Sequence, residues 1–255
     1  MKLTILGCGT SSGVPRIGGD WGDCDPADPR NRRTRASVLV QSATTAILVD
    51  TGPDMREQLL KAGVGALDAV LWTHEHADHT HGIDDLRQIF HLRQSPVPCY
   101  ARPRCLESVE RRFRYVFHGR GGYPPTATIA ALGDKIIVGD VHIRTVDMPH
   151  GGITSAGFRF EHDGKSIGYS TDFHEFTPDM DDMFASLDLW VVDALRRAPH
   201  PTHANLATTL EAIRRLKPGR AILTHMDQSM DYAGLSAELP PGVEPGYDGL
   251  EVVFA

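Results

Sequence analysis

The segment LWTHEHADHTHG, residues 71–82, brings many metal-ligating side chains into one short turn. His74, His76, Asp78 and His79 follow one another at offsets of two, two and one. Neutral imidazole nitrogens and carboxylate oxygens suit zinc, manganese or iron, and no thiolate is needed. His74 and His76 can point the same way on an extended turn, while Asp78 and His79 face a second ion. The spacing therefore predicts two neighbouring metal sites, with the ions about 3.5–4 Å apart.

Further histidine and aspartate residues occur where other predicted strands end. Side chains at strand ends can converge on a rigid frame at one edge of a sheet. We therefore expect these residues to join the histidine turn, which itself follows a predicted strand. The residues are His150 after the strand at 141–148, Asp172 after the strand at 165–170, and His225 after the strand at 220–224.

Hydrophobic patterning alternates between strands and helices along the chain, without an internal repeat. Residues 8–33 are rich in Gly, Pro, Asp and Ser and predict a long ordered loop. The pattern predicts one α/β domain over residues 1–255, with two sheets and helices outside. Strands are predicted at 2–7, 36–42, 46–52, 67–73, 97–101, 135–148, 153–161, 165–170, 187–194 and 220–225, and helices at 53–63, 81–93 and 205–216.

Composition narrows the class of protein. The 255 residues are 41% hydrophobic, enough for a sizeable core, and carry a formal net charge of −7. Lys and Arg are scattered along the chain, which argues against a basic face for a long polyanion. The four cysteines form no CxxC pair, and the N-terminal apolar run is too short for a signal peptide. We therefore expect a reduced, cytoplasmic protein without a membrane segment.

The motif THEHADH at residues 73–79 resembles the HxHxDH signature of the metallo-β-lactamase superfamily, and VDTG at Asp50 is also similar to that family. The resemblance implies an α/β fold of the αββα sandwich type, in which helices flank two mixed β-sheets. It also implies two divalent cations, zinc or manganese, with a hydroxide that bridges them and acts as the nucleophile. The implied ligands are His74, His76 and His150 for the first ion, and Asp78, His79 and His225 for the second, with Asp172 bridging both.

The loop RRAPHPTHANLATTLEAI, residues 196–213, indicates one branch of the superfamily. His203 lies just before a predicted helix, which resembles the PhnP-like cyclic phosphodiesterases. The resemblance implies that His203 contacts the substrate phosphate and protonates the leaving oxygen, with Asp172 as the other catalytic residue. The alternative is that His203 only caps the helix at 205–216. We expect a phosphodiesterase that acts on a small cyclic phosphate or nucleotide-like phosphodiester.

One part of the PhnP-like pattern is absent from this sequence. That family has a structural zinc, held by three cysteines of the early loop and one histidine after the last active-site ligand. No structural zinc is predicted here, and packing must hold the loop instead, with Trp21 as its anchor. The corresponding positions are Gly19, Trp21, Cys24 and Gln228.

Three other functions stay open at the level of sequence. A tRNA 3′-end endonuclease shares the metal ligands but usually needs a basic arm, whereas residues 172–184 are acidic. A glyoxalase II-like thioesterase usually has a separate C-terminal helical domain. A nucleotide-binding sensor with an idle metal site is the alternative that is not an enzyme. We expect a small phosphodiester as the partner, no membrane or stable nucleic-acid partner, and a homodimer by analogy with PhnP-like enzymes.

Overall fold

The computed structural model of the protein describes residues 1–254, whose strands form two seven-stranded sheets. In each sheet, antiparallel strands at one end give way to parallel strands at the other. The first sheet contains, in spatial order, β14 (Glu251–Val253), β1 (Lys2–Gly7), β2 (Ser37–Gln41), β3 (Ala46–Val49), β4 (Ala69–Leu71), β5 (Val97–Ala101) and β6 (Ala127–Ala131). The second contains β13 (Val243–Pro245), β12 (Ala221–Thr224), β11 (Leu189–Asp193), β10 (Lys165–Ser170), β9 (Ile153–His162), β8 (Val141–His150) and β7 (Lys135–Val138).

Short helices connect these strands and lie outside the sheets. Within residues 1–254, none is long and apolar enough to cross a lipid bilayer. The α-helices are α1 (Met55–Lys61), α2 (Ala77–Thr80), α3 (Leu86–Arg93), α4 (Pro103–Arg112), α5 (Arg114–His118), α6 (Pro178–Phe184), α7 (Leu206–Leu216) and α8 (Tyr232–Glu238).

The alternating side chains of β2 show how the first sheet builds two cores. Val38 and Val40 pack into a cluster that also holds Phe158 of the second sheet. Leu39 points to the opposite face and belongs to a second cluster with Trp72 and the helices α1, α3, α4 and α5. Each such buried side chain contributes about 1.5–3 kcal/mol of hydrophobic stabilisation. The predicted fold, two mixed sheets flanked by helices, is therefore confirmed.

Most predicted elements lie within two or three residues of the observed ones, but one long strand is wrong at its centre. Gly139, at a φ of 57°, and Asp140 form a turn that divides the predicted strand at 135–148 into β7 and β8. The helix α4 was not predicted, because only Cys105 and Val109 are buried along its length. Arginine and glutamate outnumber the apolar side chains in this helix, so the segment is too polar to stand out from a loop in the sequence.

The early loop is anchored by a buried arginine rather than by Trp21, so the predicted anchor is wrong. Trp21 is half-buried, with the Arg32 guanidinium 5.2 Å from its ring centre. Arg33 is only 2% exposed and donates hydrogen bonds to the carbonyl oxygens of Asp227, at 3.1 Å, and Met230. Hydrogen bonds from a buried charged donor are among the stronger ones. They tie the loop to the segment that follows β12.

Two of the four positions aligned with the structural-zinc ligands, Cys24 and Gln228, lie in this same contact. The Arg33 guanidinium is 3.7 Å from the sulfur of Cys24. The backbone N–H of Asp23 donates to the carbonyl oxygen of Gln228 at 2.9 Å. A Cβ at Gly22, whose φ is 54°, would lie 2.3 Å from the Gln228 side chain, so only glycine permits this approach.

Candidate metal centre

Strand ends from both sheets meet at one edge of the sandwich. The carboxyl ends of parallel strands lie on the same side of a sheet, which is where ligands bind in many α/β folds. The structure brings all seven predicted ligands to this edge. The chain reaches it at Asp50 after β3, His74 after β4, His150 at the end of β8, Asp172 after β10, Asp193 at the end of β11 and His225 after β12.

The histidine turn is held in place by a close backbone contact with the turn after β3. The N–H of Thr51 donates to the carbonyl oxygen of His79 at 2.8 Å, and the N–H of Gly82 donates to the carbonyl oxygen of Thr51 at 2.8 Å. A Cβ at Gly52 would lie 2.4 Å from the carbonyl oxygen of Asp78. The glycine of the VDTG motif therefore lets the two turns approach this closely.

His74, His76 and His150 form a first group of potential donors. Their ligand atoms lie within 4.8 Å of one another. His150 donates through Nδ1 to the carbonyl oxygen of Thr202 at 2.8 Å, which leaves its Nε2 unprotonated in the neutral ring and 3.4 Å from His76 Nδ1. His74 is fully buried, whereas His76 is exposed at the mouth of the cleft.

Asp78, His79 and His225 form a second group within the same limit of 4.8 Å. His79 is fully buried, and its Nε2 lies 3.3 Å from Asp78 Oδ2. On its other side, His79 donates through Nδ1 to Asp50 Oδ2 at 2.7 Å. Asp50 also accepts hydrogen bonds from the N–H and the hydroxyl of Thr73, both at 2.8 Å. A carboxylate that orients a ligating histidine in this way is common around protein-bound metals.

Asp172 lies between the two groups. Its Oδ1 is 3.9 Å from His74 Nε2, 3.8 Å from His150 Nε2 and 3.5 Å from His225 Nε2. Its Oδ2 is 3.3 Å from His79 Nε2. No other carboxylate among residues 1–254 is within 4 Å of as many imidazole nitrogens. The carboxylate of Asp172 is therefore close to the donor atoms of both groups.

Three residues of the site have a left-handed backbone. The φ angles are 66° for Asp50, 59° for Asp172 and 57° for His225. For residues other than glycine, such conformations cost about 1–3 kcal/mol, and residues with this backbone cluster at functional sites. The surrounding strands hold these residues in conformations that a flexible loop would leave.

His203 lies in the same cleft and is fixed by an aspartate. Its Nδ1 donates to Asp193 Oδ2 at 3.1 Å, and its ring stacks on that of His225 with centroids 4.8 Å apart. Because a carboxylate only accepts, the remaining nitrogen, Nε2, is free for another partner. The helix α7 is capped by Asn205, whose side chain accepts from the N–H of Thr208 at 2.9 Å. The alternative role for His203, capping this helix, is therefore taken by another residue.

Asp193 is the functional residue that the sequence analysis missed. Its Oδ2 also accepts the backbone N–H of Asp172 at 2.9 Å, and its side chain is fully buried. The signal was present, since Asp193 ends the apolar run LWVV just as Asp50 ends ILV. By contrast, His81 and His174 stay outside the donor groups, against Phe113 and the N–H of Gly151 respectively.

Burial and mutual charge shift the titration of the site. Burial lowers the pKa of His74 well below its ordinary value. Burial alone would also lower the pKa of His225, but Asp172 and Asp78 outweigh it and raise this pKa to about 9. Burial alone would raise the pKa of Asp172, but His225 and His79 hold it well below its usual range. The central carboxylate is therefore ionised at neutral pH.

The donor set fits divalent cations. The Nε2 atoms of His74 and His79 and both ring nitrogens of His225 are buried without a hydrogen-bond partner among residues 1–254. A buried polar atom left unpaired costs about 1–3 kcal/mol, a cost that coordination would remove. Imidazole and carboxylate donors without thiolate accept zinc or manganese.

The cleft beside these donors is open to solvent and about 230 Å³ in volume. This space suits a phosphoryl group with part of its substituent better than a folded macromolecule. It is lined by Ser11, His76, Asp78, His150, Gly151, Gly152, Ile153, Asp172, Thr202, His203 and His225.

Comparison with known proteins identifies the class of protein. A family model described as a beta-lactamase superfamily domain matches residues 45–226, so the chain belongs to this superfamily. A solved structure described as a new diphosphatase from the PhnP family is 34% identical, with a TM-score of 0.91 over 100% of this chain and 98% of that chain. Within the superfamily, the chain is a member of the PhnP family, and the predicted resemblance is confirmed.

Curated relatives share the same region of sequence. An octanoyltransferase of Porphyromonas gingivalis (strain ATCC BAA-308 / W83) is 34% identical over 100% of this chain and 52% of its own length. A ribonuclease Z of Bradyrhizobium diazoefficiens is 34% identical over 52% of this chain and 46% of its own length. The chain thus spans about half the length of the curated relatives it matches, and the names describe those whole proteins.

Proposed function

We propose that the protein is a metal-dependent phosphodiesterase that hydrolyses a small cyclic phosphate or nucleotide-like phosphodiester. The observation that carries this proposal is the position of His203. It lies in the cleft beside both donor groups. Its Nδ1 donates to Asp193, which fixes the ring and leaves Nε2 available for a substrate atom. A general acid must be within reach of the leaving oxygen without being consumed as a ligand. Similarity to the PhnP-family diphosphatase supports the same reaction class.

His74, His76 and His150 would hold one cation, and Asp78, His79 and His225 the other, with Asp172 shared between them. When bound, two divalent cations lower the pKa of a water molecule and offset the negative charge of the transition state. Asp50 keeps the Nε2 of His79 directed into the site by accepting the hydrogen bond from Nδ1–H. The buried carboxylates also balance the added positive charge.

His203 would supply the proton that the leaving oxygen needs. With Nδ1 donating to Asp193, a proton on Nε2 can pass to the leaving oxygen as the bond to phosphorus breaks. The Asp193 carboxylate stabilises the imidazolium before the transfer and keeps the ring orientation afterwards. The result is an alcohol or a hydroxyl on the product instead of an unprotonated alkoxide.

Hydrolysis of a small panel of diesters by the protein loaded with manganese or zinc tests the proposal. The panel holds an aryl diester, 2′,3′-cyclic nucleotides and a ribose cyclic phosphate. We expect turnover that falls about 10²–10⁴-fold in His203→Ala, while the metal content is retained. No turnover with both sites loaded would favour the thioesterase or the sensor, and loss of metal in His203→Ala would assign that residue to the ligands.

Cleavage of RNA 3′ ends is a second candidate function, favoured by the likeness to ribonuclease Z. Its test is binding and cleavage of a tRNA precursor by the loaded protein at several salt concentrations. Tight, salt-sensitive binding followed by cleavage would support the endonuclease, because phosphate contacts weaken steeply with salt. Weak binding without cleavage would leave the small-diester phosphodiesterase.

We further propose one domain over residues 1–255, a cytoplasmic location and a homodimer. A shared hydrophobic cluster between the two sheets supports the single domain. Cooperative unfolding in one transition tests the domain, light scattering tests the dimer, and fractionation of cells tests the location.

A further inference from the structure

His225 differs from the other buried histidines of the donor groups in the contacts of its ring. A histidine that binds a metal almost always donates its other N–H to a carboxylate, a carbonyl oxygen or a water molecule. His225 is 2% exposed, and neither of its ring nitrogens has a hydrogen-bond partner among residues 1–254. The other three have such a partner, in the pairs His74 with Thr73, His79 with Asp50 and His150 with Thr202.

Asp193 and Thr224 lie beside His225 and carry unpaired atoms of their own. They occupy paired positions of the parallel strands β11 and β12, so their side chains lie next to each other on one face of the sheet. Both residues are fully buried, and Asp193 Oδ1 and Thr224 Oγ1 have no hydrogen-bond partner among residues 1–254. A ring nitrogen of His225 lies within 4.8 Å of a carboxylate oxygen of Asp193. Three buried polar groups that lack a partner are therefore neighbours.

The chemistry of these three groups suits one water molecule. A buried water typically makes about three hydrogen bonds to polar groups that would otherwise be unpaired. Adjacent strands lie about 4.8 Å apart, a separation that one water can bridge with two hydrogen bonds of about 2.8 Å each. The water can donate to Asp193 Oδ1 and accept from the hydroxyl of Thr224 and an N–H of His225. All three groups would then be paired.

A cation is the other occupant that these side chains could accept. Ligand atoms of Asp193, His203 and His225 all lie within 4.8 Å of one another. However, His203 Nδ1 already donates to Asp193 Oδ2 at 3.1 Å, so a cation held by these two atoms would have to displace the proton between them. A water molecule leaves that hydrogen bond in place and uses the oxygen of Asp193 that is still unpaired. The geometry therefore favours water.

We propose that an ordered water molecule binds between Asp193, Thr224 and His225, and that Thr224 is a positioning residue that holds this water. The water links a ligand of the second donor group to the carboxylate that fixes His203. It thereby couples the orientation of His225 to that of the proposed general acid. The expected effect on turnover rests on the proposed function, whereas the water site itself and its effects on folding and metal affinity do not.

A high-resolution crystal structure of the metal-loaded protein, with anomalous diffraction data, tests the site directly. We expect one water molecule within about 3.2 Å of both Asp193 Oδ1 and Thr224 Oγ1. It should be lost in Thr224→Val, which keeps the shape of the side chain without the hydroxyl, and kept in Thr224→Ser. A wild-type structure without this water, or with the anomalous signal of a metal ion in its place, would overturn the inference.

Denaturant unfolding distinguishes a hydroxyl that binds water from one that is simply unpaired. Thr145→Val is the matched control, because Thr145 is buried in β8 and its hydroxyl also lacks a partner among residues 1–254, while its paired position in β9 is Phe158. Removal of an unpaired hydroxyl should leave the unfolding midpoint unchanged or raise it, as we expect for Thr145→Val. The midpoint should fall in Thr224→Val, because two buried groups lose their partner. An equal or higher midpoint in Thr224→Val would contradict the proposal.

Metal affinity and turnover test the positioning role of Thr224. Competition with a chromogenic chelator should show about tenfold weaker binding at the second donor group in Thr224→Val. We also expect kcat to fall about tenfold at nearly constant KM, and Thr224→Ser to restore both quantities. Unchanged affinity at the second group would refute this role. If no diester were hydrolysed while the water and the metal affinities behaved as expected, the proposed function would fail and the water site would stand.

Discussion

The carboxylate of Asp193 accepts the Nδ1 proton of His203 at 3.1 Å, and the same oxygen accepts the backbone N–H of Asp172 at 2.9 Å. One buried side chain thus fixes the proposed acid and the backbone of the central carboxylate relative to each other. Positions of catalytic groups must be held to within about 0.5 Å for efficient reaction. Asp193 is therefore a positioning residue of this centre.

Asp193→Asn should lower kcat while both metals stay bound. Because one oxygen accepts both hydrogen bonds, an asparagine has two possible orientations. With its oxygen there, it lacks the negative charge that supports a protonated His203, and with its amide nitrogen there, it presents a donor to His203 and favours the wrong tautomer. We expect a loss of about 10²-fold in kcat with little change in KM. The measurement is steady-state kinetics with metal analysis of the same samples. A fall in metal content that matches the fall in activity would contradict this role.

His225→Ala should empty the second donor group. Both nitrogens of this buried ring lack a hydrogen-bond partner among residues 1–254, so no hydrogen bond within the protein accounts for the burial of this side chain. We expect the bound metal to fall from about two ions per chain to about one and turnover to be lost. Elemental analysis after gel filtration checks this. Retention of both ions would remove His225 from the ligands.

Asp50→Asn should weaken the second site selectively. Without the carboxylate that accepts its Nδ1 proton, His79 loses its fixed tautomer, and replacement of such supporting residues typically costs 10–100-fold in metal affinity. Competition with a chromogenic chelator measures both affinities. Asp54→Asn, which removes a carboxylate paired among residues 1–254 with Arg35 alone, is the matched control. Equal weakening of both sites in Asp50→Asn would indicate a general loss of folding instead.

Removal of metal by a chelator should destabilise the folded protein. Ions that bind only the folded state add about 4 kcal/mol at a thousandfold excess over Kd, which corresponds to a fall of about 10 °C in Tm on removal for a chain of this size. Differential scanning calorimetry of loaded and stripped protein measures the shift. An unchanged Tm would argue against occupied sites in the loaded sample.

Stability should fall as the pH rises from about 4 to about 6 because of Asp248, which is not one of the donor residues. Burial raises the pKa of Asp248 to about 6, against the hydrogen bonds from Thr34 and Cys8 that lower it. The folded state therefore holds this proton more tightly than the unfolded state, and its contribution is complete below the ordinary pKa and lost as the pH rises through about 6.

The pH-dependent part should amount to roughly 3 kcal/mol, from about two pKa units at 1.36 kcal/mol each. Denaturant unfolding at several pH values, with Asp248→Asn alongside, isolates the contribution of Asp248. The contribution of the site carboxylates to the free energy of unfolding changes with pH in the opposite direction. We expect the difference in unfolding free energy between the wild type and the variant to drift across this window and to be flat above pH 7. A constant difference would place the titration elsewhere.

The sequence predicted the donor groups well because their spacing is local and their partners follow strand ends. His74, His76, Asp78 and His79 need only one turn to come together, and β10 and β12 deliver Asp172 and His225 to the same edge. Their convergence follows from parallel strands, which place their carboxyl ends on one side. Their roles as ligands stay predictions until metal is measured.

Contacts between distant segments could not be predicted in the same way. In the sequence, nothing distinguishes Arg33 from an exposed loop arginine, because its contacts with the segment at 227–230 form only in the fold. The pairing of Glu75 with Arg104 is likewise not visible in the sequence. A polar residue in a sequence is usually exposed, so burial of a charged side chain is visible only in the fold. The strand end made Asp193 a candidate, but its contacts with His203 and Asp172 are visible only in the fold.

The buried guanidinium of Arg33 gives the early loop an anchor that needs no thiolate and no metal. Chelators that empty the donor groups should therefore leave this wall of the cleft tied to the chain. We expect the centre to tolerate exchange of one divalent ion for another without a rebuilt active-site wall.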